Sequence, residues 1–497
     1  MRKVISGLLI LGAILLGQST IEGTWEGGII IQDIELGIEV EFIAEGDSLT
    51  ATIDIPQQGA RDLELVNVGF NDPKVNFELD AGPGLAVFSG ELEEAEIKGD
   101  FKQGAATGAF YLKPLVEIEI PYTEEEVEIQ STDEVILEGT LTIPEGEELS
   151  PAVVLITGSG KQDRDENIMG FKMFAVIADY LTRNGIAVLR CDDRGFLDQG
   201  EGGLGKHMSR DYAEDANAQI QYLKMMSMTH NEMPVIDTTR IGLLGHSEGA
   251  LIAGMVAADN PEVEFIVLMG GTVLPGDEVL RAQMVALLEA EGMSSEKIAE
   301  QRELQDELLA YAITGEGEDE LRKNLEKTTK KFIKKETTRK ERKALGNLDE
   351  WVEKRVQSQL DVVQSPWYRY FLKYDPREDL AKVDARVLAF FGEKDVQAVA
   401  EQNAPALDEL FKEIGKDNYV IKTCCKANHL FQPAVTGGVS EYSKLPKEFA
   451  PCFLPAVTAF ILGEPIPDEC DHKEEGCQKA KEGGCPKAKG HDCPHSK

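Results

Sequence analysis

Ser247 is the residue in this chain with the clearest chemical context. It lies within Gly245-His246-Ser247-Glu248-Gly249, after an apolar run at residues 241–244 and before a run of small and apolar residues at 250–258. This pattern predicts a strand, a sharp turn and a helix, the layout of a nucleophile elbow. The glycines leave space where the strand and the helix nearly collide, and the tight turn exposes the serine side chain. The sequence therefore predicts that Ser247 is a nucleophile.

A serine hydroxyl needs a base that takes its proton, and the base needs an acid that orients it. In proteins with such an elbow, the acid and then the histidine follow the serine along the chain. Outside the C-terminal tail, His429 is the one histidine after Ser247, and it follows a β-type run at residues 419–423. Asp395 follows the preceding apolar run and is the predicted acid, with Glu393 as the local alternative.

Two backbone N–H groups are candidates for binding the oxyanion of a tetrahedral intermediate. The N–H of Glu248 is predicted to lie at the helix N-terminus beside the serine. The second donor is expected in the loop after the first parallel strand. There the sequence reads Thr157-Gly158-Ser159-Gly160, and we assign the N–H of Ser159, with Gly160 as the alternative.

These residues need a parallel sheet to bring them together. Residues 114–465 begin with antiparallel-type strands, and continuous apolar strands then alternate with helices, including one expected at residues 168–184. This alternation predicts an α/β fold with a mostly parallel sheet. Residues 277–380 interrupt it with charged, helix-forming sequence, which we interpret as a helical cap.

Several polar and cysteine residues adjoin the predicted strands. Asp192, Asp193 and Arg194 are expected to form an ion-pair network that braces the loops, since charge networks commonly support sites without reacting. The cysteines beside strands are expected to act as small buried hydrophobes. They are Cys191, Cys424 and Cys425.

The N-terminal part of the chain has a different pattern. Residues 1–19 contain two basic residues, then an apolar run, then small and polar residues. This pattern predicts a signal peptide and export to the periplasm or medium. A membrane anchor is the alternative. Residues 20–113 contain eight short β-type runs, which predict an all-β sandwich or small barrel. Its aromatic residues are expected in the core, with a ligand cleft as the alternative.

Charge and composition exclude some classes of binding partner. The formal net charge of -38 makes nucleic acid an improbable partner. After the leader, no stretch is apolar and long enough for a membrane span in the mature chain.

Residues 466–497 have almost no large apolar residues and cannot form a core. Their cysteines could bind a soft metal, form disulfides or belong to a disordered tail. They are Cys470, Cys477, Cys485 and Cys493.

Six motifs together resemble the EstD-type carboxylesterases of the α/β-hydrolase superfamily, close to its serine aminopeptidase-like and dienelactone hydrolase-like branches. The resemblance covers about residues 117–462. The motifs are Gly158-Ser159-Gly160 with Gln162-Asp163-Arg164-Asp165-Glu166, Asp192-Asp193-Arg194-Gly195, the elbow, Ser365-Pro366-Trp367-Tyr368-Arg369-Tyr370-Phe371, Gly392-Glu393-Lys394-Asp395 and Asn428-His429-Leu430-Phe431.

The resemblance implies a serine esterase for short acyl esters, with Ser247, Asp395 and His429 as its triad. It also implies that no cofactor is needed and that the partner is a small-molecule ester. A peptidase, an aminopeptidase or an acyltransferase could use the same triad. A binding protein on a hydrolase scaffold is the alternative from another class, but such scaffolds usually lose triad members, and here all three positions are filled. The oligomeric state does not follow from the sequence.

Overall fold

The computed structural model describes residues 21–467, apart from gaps at 32–33, 46–47, 56–59, 81–83, 94, 105, 116–119, 133–134, 147–148, 197–206, 230–234, 340–341 and 343–344. The predicted signal peptide (1–19) and all but the first two residues of the tail (466–497) lie outside the described residues. The chain divides into two compact units, Met1–Glu119 and Ile120–Lys497. The division falls six residues after the boundary expected from the sequence.

The first unit is a closed antiparallel barrel in which each strand pairs with the next and β1 pairs with β8. Of the two all-β folds expected, the structure has the barrel. Its strands are β1 (Gly23–Ile31), β2 (Ile34–Glu45), β3 (Ser48–Ile55), β4 (Ala60–Asn71), β5 (Lys74–Leu79), β6 (Ala86–Glu93), β7 (Glu96–Gln103) and β8 (Ala106–Pro114).

Aromatic side chains fill the barrel interior. Phe77 stacks on Phe88 with ring centroids 4.5 Å apart, and the ring of Phe110 meets both edge-on. All three are almost completely buried. Because alternate strand residues point inward, these rings form the packed core of the barrel and do not line a cleft.

The second unit contains an eight-stranded sheet in the order β18-β17-β16-β15-β11-β14-β10-β9. The pairs β9–β10 and β10–β14 are antiparallel, and the other pairs are parallel. Six neighbouring strands are therefore parallel and end at the same edge of the sheet. The strands are β9 (Tyr122–Thr132), β10 (Val135–Pro144), β11 (Ser150–Ile156), β14 (Ala187–Cys191), β15 (Ile236–His246), β16 (Phe265–Met269), β17 (Arg386–Gly392) and β18 (Tyr419–Cys424). A separate small hairpin comprises β12 (Asn167–Ile168) and β13 (Phe171–Lys172).

Helices cover both faces of this sheet, and two buried hydrophobic clusters lie between the sheet and the helices. These helices are α1 (Met173–Arg183), α2 (Ser209–Thr229), α3 (Glu248–Asp259), α10 (Ala400–Glu413) and α11 (Phe453–Leu462). The expected helix start at residue 168 was wrong. The hairpin β12–β13 occupies that stretch because Met169 and Gly170 both have positive φ angles, which a helix does not accept.

The stretch between β16 and β17 is helical and has its own buried cluster, which includes Leu309, Val356 and Leu360. These helices form the cap. They are α4 (Gly276–Ala290), α5 (Ser295–Thr314), α6 (Glu318–Glu336), α7 (Leu348–Gln364), α8 (Pro366–Lys373) and α9 (Pro376–Leu380).

Within the described ranges, no helix combines the length and apolar character needed to cross a membrane. In the same part of the chain, no group of three or more His, Cys, Asp or Glu side chains is placed to hold a metal ion.

Candidate active site

Ser247 lies on the turn between β15 and α3 and is half-buried. Its φ of 55° and ψ of -117° are strained for a non-glycine residue, as expected of a nucleophile elbow. A Cβ atom on Gly249 would overlap the carbonyl oxygen of Ile156, and one on Gly245 would overlap Gly249. The glycines therefore permit the close approach of strand and helix that the sequence pattern predicts.

Asp395 and His429 lie together in the loops after β17 and β18. The His429 Nδ1 atom is 2.8 Å from Oδ2 of Asp395, and both side chains are buried. The other carboxylate oxygen accepts hydrogen bonds from the N–H groups of Gln397 and Ala398, each at 2.8 Å. Asp395 is thus fixed by its own loop and can hold one tautomer of His429.

Glu393, the alternative acid, has another role. Its Oε2 accepts a hydrogen bond of 2.8 Å from the Lys426 N–H, at the start of the His429 loop. Farther along, the buried Oδ1 of Asn428 accepts from the N–H groups of Leu430 and Gln432. These bonds hold the loop that carries His429.

Ser247 is tied to the strand beside this loop, because its N–H donates to the Met269 carbonyl over 2.9 Å. Gly270 follows with a φ of +60°, and a Cβ atom there would lie 3.3 Å from both Asp395 Oδ2 and His429 Nδ1. Among the residues that the structure describes, no hydrogen bond joins Ser247 Oγ to His429. Such catalytic bonds often tighten only when substrate is bound.

The two proposed oxyanion donors belong to segments that adjoin the nucleophile. Glu248 is the first residue of α3, where an N–H group has no partner within the helix. The loop that carries Ser159 passes beside Ser247, since a Cβ atom on Gly158 would lie 3.3 Å from Ser247 Cβ. Neither the Ser159 nor the Glu248 N–H has an acceptor among the described residues, so both are available to a substrate oxygen.

The side chain of Glu248 connects three elements. Its Oε1 accepts from Ser209 Oγ at 2.6 Å, in α2, and from Trp367 Nε1 at 2.8 Å, in cap helix α8. Burial raises the pKa of this carboxyl group, while the two donors act in the opposite direction. Glu248 therefore joins the nucleophile helix to the cap.

Two site residues were not predicted as such from the sequence: Glu166, and the side chain of His246. Glu166 Oε1 lies 2.8 Å from His246 Nδ1 and accepts a 2.7 Å hydrogen bond from the Gly158 N–H. Their sequence separation is 80 residues, so no local spacing could reveal the contact.

The charged residues after β14 brace neighbouring loops, as expected. Asp192 pairs with Arg164 at 2.7 Å, and Arg194 pairs with Asp215 at 2.6 Å. Asp193 accepts from Thr157 Oγ1 and the Gln162 N–H, which holds the oxyanion loop. Burial raises the pKa of Asp193 to about 8, although these hydrogen bonds lower it.

The expectation for Cys424 was wrong. It forms a disulfide with Cys452, 28 residues away, instead of remaining a small buried thiol. The partner lies beyond the His429 loop, where no strand pattern marks it. Cys191 is buried, as expected, and Cys425 is half-buried. The tail cysteines 470, 477, 485 and 493 lie outside the described residues.

A mostly parallel sheet with an elbow at its centre, an acid and a histidine in the loops after the last two strands, and a cap after β16 define an α/β-hydrolase domain. Residues 170–354 match the family model Hydrolase_4, described as serine aminopeptidase, S33. The chain is also similar to esterase EstD of Thermotoga maritima, with 30% identity over 197 residues. That match spans 39% of this chain and 45% of the esterase, less than half the length of either. The predicted resemblance to EstD-type esterases is confirmed.

Two solved structures align at low identity. An esterase of Pyrococcus furiosus is 17% identical with a TM-score of 0.38, over 63% of this chain and 85% of that chain. A puromycin-hydrolyzing peptidase of Mycobacterium tuberculosis is 14% identical with a TM-score of 0.42, over 88% of this chain and 54% of that chain.

Proposed function

We propose that this protein is a serine carboxylesterase that hydrolyses short-chain acyl esters through an acyl-enzyme intermediate. The observation that carries the proposal is the buried hydrogen bond between Asp395 and His429, in loops at the same sheet edge as the strained Ser247. The similarity to EstD supports the ester as the substrate class.

In the proposed cycle, Nε2 of His429 takes the proton of Ser247 as Oγ attacks the ester carbonyl. Asp395 accepts the Nδ1–H and stabilises the imidazolium that forms. The N–H groups of Glu248 and Ser159 donate to the oxyanion. His429 then protonates the departing alcohol, and a water molecule activated by the same histidine releases the acid. The cycle uses only groups of this chain and water.

The proposed aminopeptidase alternative needs a carboxylate that receives the free amine of the substrate. Glu248 is the acid next to the nucleophile, but its Oε1 already accepts hydrogen bonds from Ser209 and Trp367. These contacts support a structural role for Glu248, and they favour the esterase.

A series of p-nitrophenyl esters from acetate to palmitate tests the proposal. The wild type should be fastest with short acyl chains, and Ser247→Ala should lose several powers of ten in kcat. Ser295→Ala, at an exposed serine of the cap, is the matched control and should retain wild-type rates. Faster turnover of amino-acid anilides than of esters would overturn the esterase in favour of an aminopeptidase. Transfer to added alcohols in preference to water would indicate an acyltransferase.

We also infer that the protein is exported, with residues 1–19 as the signal peptide. The disulfide between Cys424 and Cys452 supports this, because such bonds persist mainly in oxidising compartments. Cell fractionation tests it, and a full-length chain that stays in the cytoplasm would contradict it.

A further inference from the structure

Glu166 and His246 are two buried ionisable side chains beside the site that take no part in the cycle described above. Their side chains are 1% and 2% exposed, respectively. Burying a charged group is costly unless it is paired, so this pair needs a structural or functional reason.

A continuous chain of hydrogen bonds runs through the pair. The Gly158 N–H donates to Glu166 Oε1 over 2.7 Å, and the same oxygen lies 2.8 Å from His246 Nδ1. His246 Nε2 then donates to the carbonyl oxygen of His429 over 3.1 Å. The chain therefore joins the oxyanion loop, the residue before the nucleophile and the backbone of the general base.

The acceptors settle the tautomer of His246. A carbonyl oxygen can only accept, so Nε2 carries a hydrogen, and a second proton must lie between Nδ1 and Glu166. Burial acts to lower the pKa of His246, but the charge of Glu166 and its hydrogen bond raise it above the ordinary value. The His429 carbonyl and Asp395 act in the same direction. One proton is therefore held between His246 Nδ1 and Glu166 Oε1.

The backbone conformation at Glu166 directs its side chain towards His246. Its φ of +45° is a strained value for a glutamate. Its N–H donates to the Asp163 carbonyl over 2.9 Å, and Asp163 Oδ1 accepts from the N–H groups of Asp165 and Asn167. This tight turn directs the carboxylate into the protein. Strain of this kind persists only where the surroundings enforce it, and it is concentrated at functional sites.

We propose that Glu166 and His246 form a second acid–histidine pair, which positions the oxyanion donor and the general base relative to each other. The ring of His246 lies 4.8 Å from the ring of His429, centroid to centroid, so the pair packs directly against the base. The inference rests on the proposed serine-hydrolase function, but not on which ester is the substrate. Both are positioning residues, since neither contacts the reacting atoms.

Two substitutions distinguish the effect of the Glu166 charge from the effect of the hydrogen bond between His246 and the His429 carbonyl. In Glu166→Gln, one oxygen still faces Gly158, but the negative charge that holds the second proton on His246 is lost. In His246→Asn, a polar atom remains near the position of Nδ1, but nothing reaches the His429 carbonyl. Glu264→Gln is the matched control. Glu264 forms an ion pair with Arg386, and the substitution removes its charge. This pair lies near the start of β16, at the end of that strand remote from Ser247.

A misplacement of about 1 Å costs roughly 100-fold in rate, so each single variant should lose about that factor in kcat. KM should change little, because the pair positions groups that act in the transition state and does not itself contact the substrate. The double variant should lose about 100-fold as well, far less than the roughly 10,000-fold product of independent effects. Glu264→Gln should retain the wild-type kcat.

Labelling with a fluorophosphonate gives a second readout that requires no ester turnover. The rate of labelling should fall about 100-fold in both single variants but not in Glu264→Gln, since the reagent uses the same nucleophile and oxyanion donors.

Two results would overturn the inference: a rate loss in the double variant equal to the product of the single losses, or single variants with rates within about threefold of wild type. If the wild type is labelled but hydrolyses no ester, the esterase proposal fails while this test still stands. If Glu166→Gln does not fold, His246→Asn alone decides.

Discussion

Oε1 of Glu248 accepts a hydrogen bond from Nε1 of Trp367 over 2.8 Å, so the residue next to the nucleophile is bonded directly to the cap. Trp367 also stacks on Phe371 within the same cap helix, with ring centroids 5.7 Å apart. This hydrogen bond therefore attaches the cap to the elbow with a defined geometry. Substrate pockets shaped by the cap are expected to depend on this contact.

Trp367→Phe keeps an aromatic ring but removes the donor. The free energy of unfolding should fall by about 1–3 kcal/mol, because a buried acceptor loses a partner. KM should rise more than kcat falls, since the reacting groups stay in place. Chemical denaturation and ester kinetics check this, with Trp351→Phe in α7 as the control. Equal kinetic effects in both variants would contradict a specific role for Trp367.

Gly270 is expected to tolerate no side chain. Its φ is +60°, and a methyl group would lie 3.3 Å from Asp395 Oδ2 and His429 Nδ1. Gly270→Ala should therefore cost about 1–3 kcal/mol in stability and about 100-fold in kcat. Kinetics at a temperature where the variant remains folded would separate the two effects. A variant with unchanged kcat would show that the Asp395–His429 contact is not constrained by β16.

The elbow could be predicted from the sequence because its signal is local: glycines two residues on either side of a serine, between a strand and a helix. Asp395 and His429 could be predicted because each follows a strand in a known order. The contact of Glu166 with His246 could not, since it depends on how a loop after β11 folds back over β15. The disulfide partner of Cys424 was missed for the same reason, because the tertiary path of the chain decides it. The start of α1 was missed because a local hairpin with two positive φ angles replaces the first helical turn.

Asp193 makes stability depend on pH. Its folded pKa of about 8 exceeds the value of about 3.9 for an unfolded aspartate. Between these values the folded state holds more protons than the unfolded state, so this group's contribution to stability falls as pH rises from about 4 to about 8.

Asp193→Asn should remove that dependence, because the amide can donate to Thr157 and accept from Gln162 without a charge. We expect its Tm to exceed that of the wild type by several degrees at pH 9, and by less at pH 5. Calorimetry across this range is the measurement. A Tm advantage that is larger at pH 5 would contradict the assignment.

The disulfide between Cys424 and Cys452 fixes the end of β18, five residues before His429. Replacing both cysteines by alanine should reduce the free energy of unfolding by about 3.5 kcal/mol, the value expected for a loop of this size. Peptide mapping of the unreduced wild type should recover the two cysteines in one linked pair. Free alkylation of both thiols in that sample would contradict the bond.

The most direct test of the proposed mechanism is to identify the residue that a fluorophosphonate modifies. The wild type should gain one adduct per chain, located by peptide mass spectrometry on Ser247, with parallel loss of esterase activity. Asp395→Asn should react far more slowly, because His429 loses the acceptor that sets its tautomer. An adduct on another residue, or full inactivation without modification of Ser247, would contradict the assignment of Ser247, His429 and Asp395.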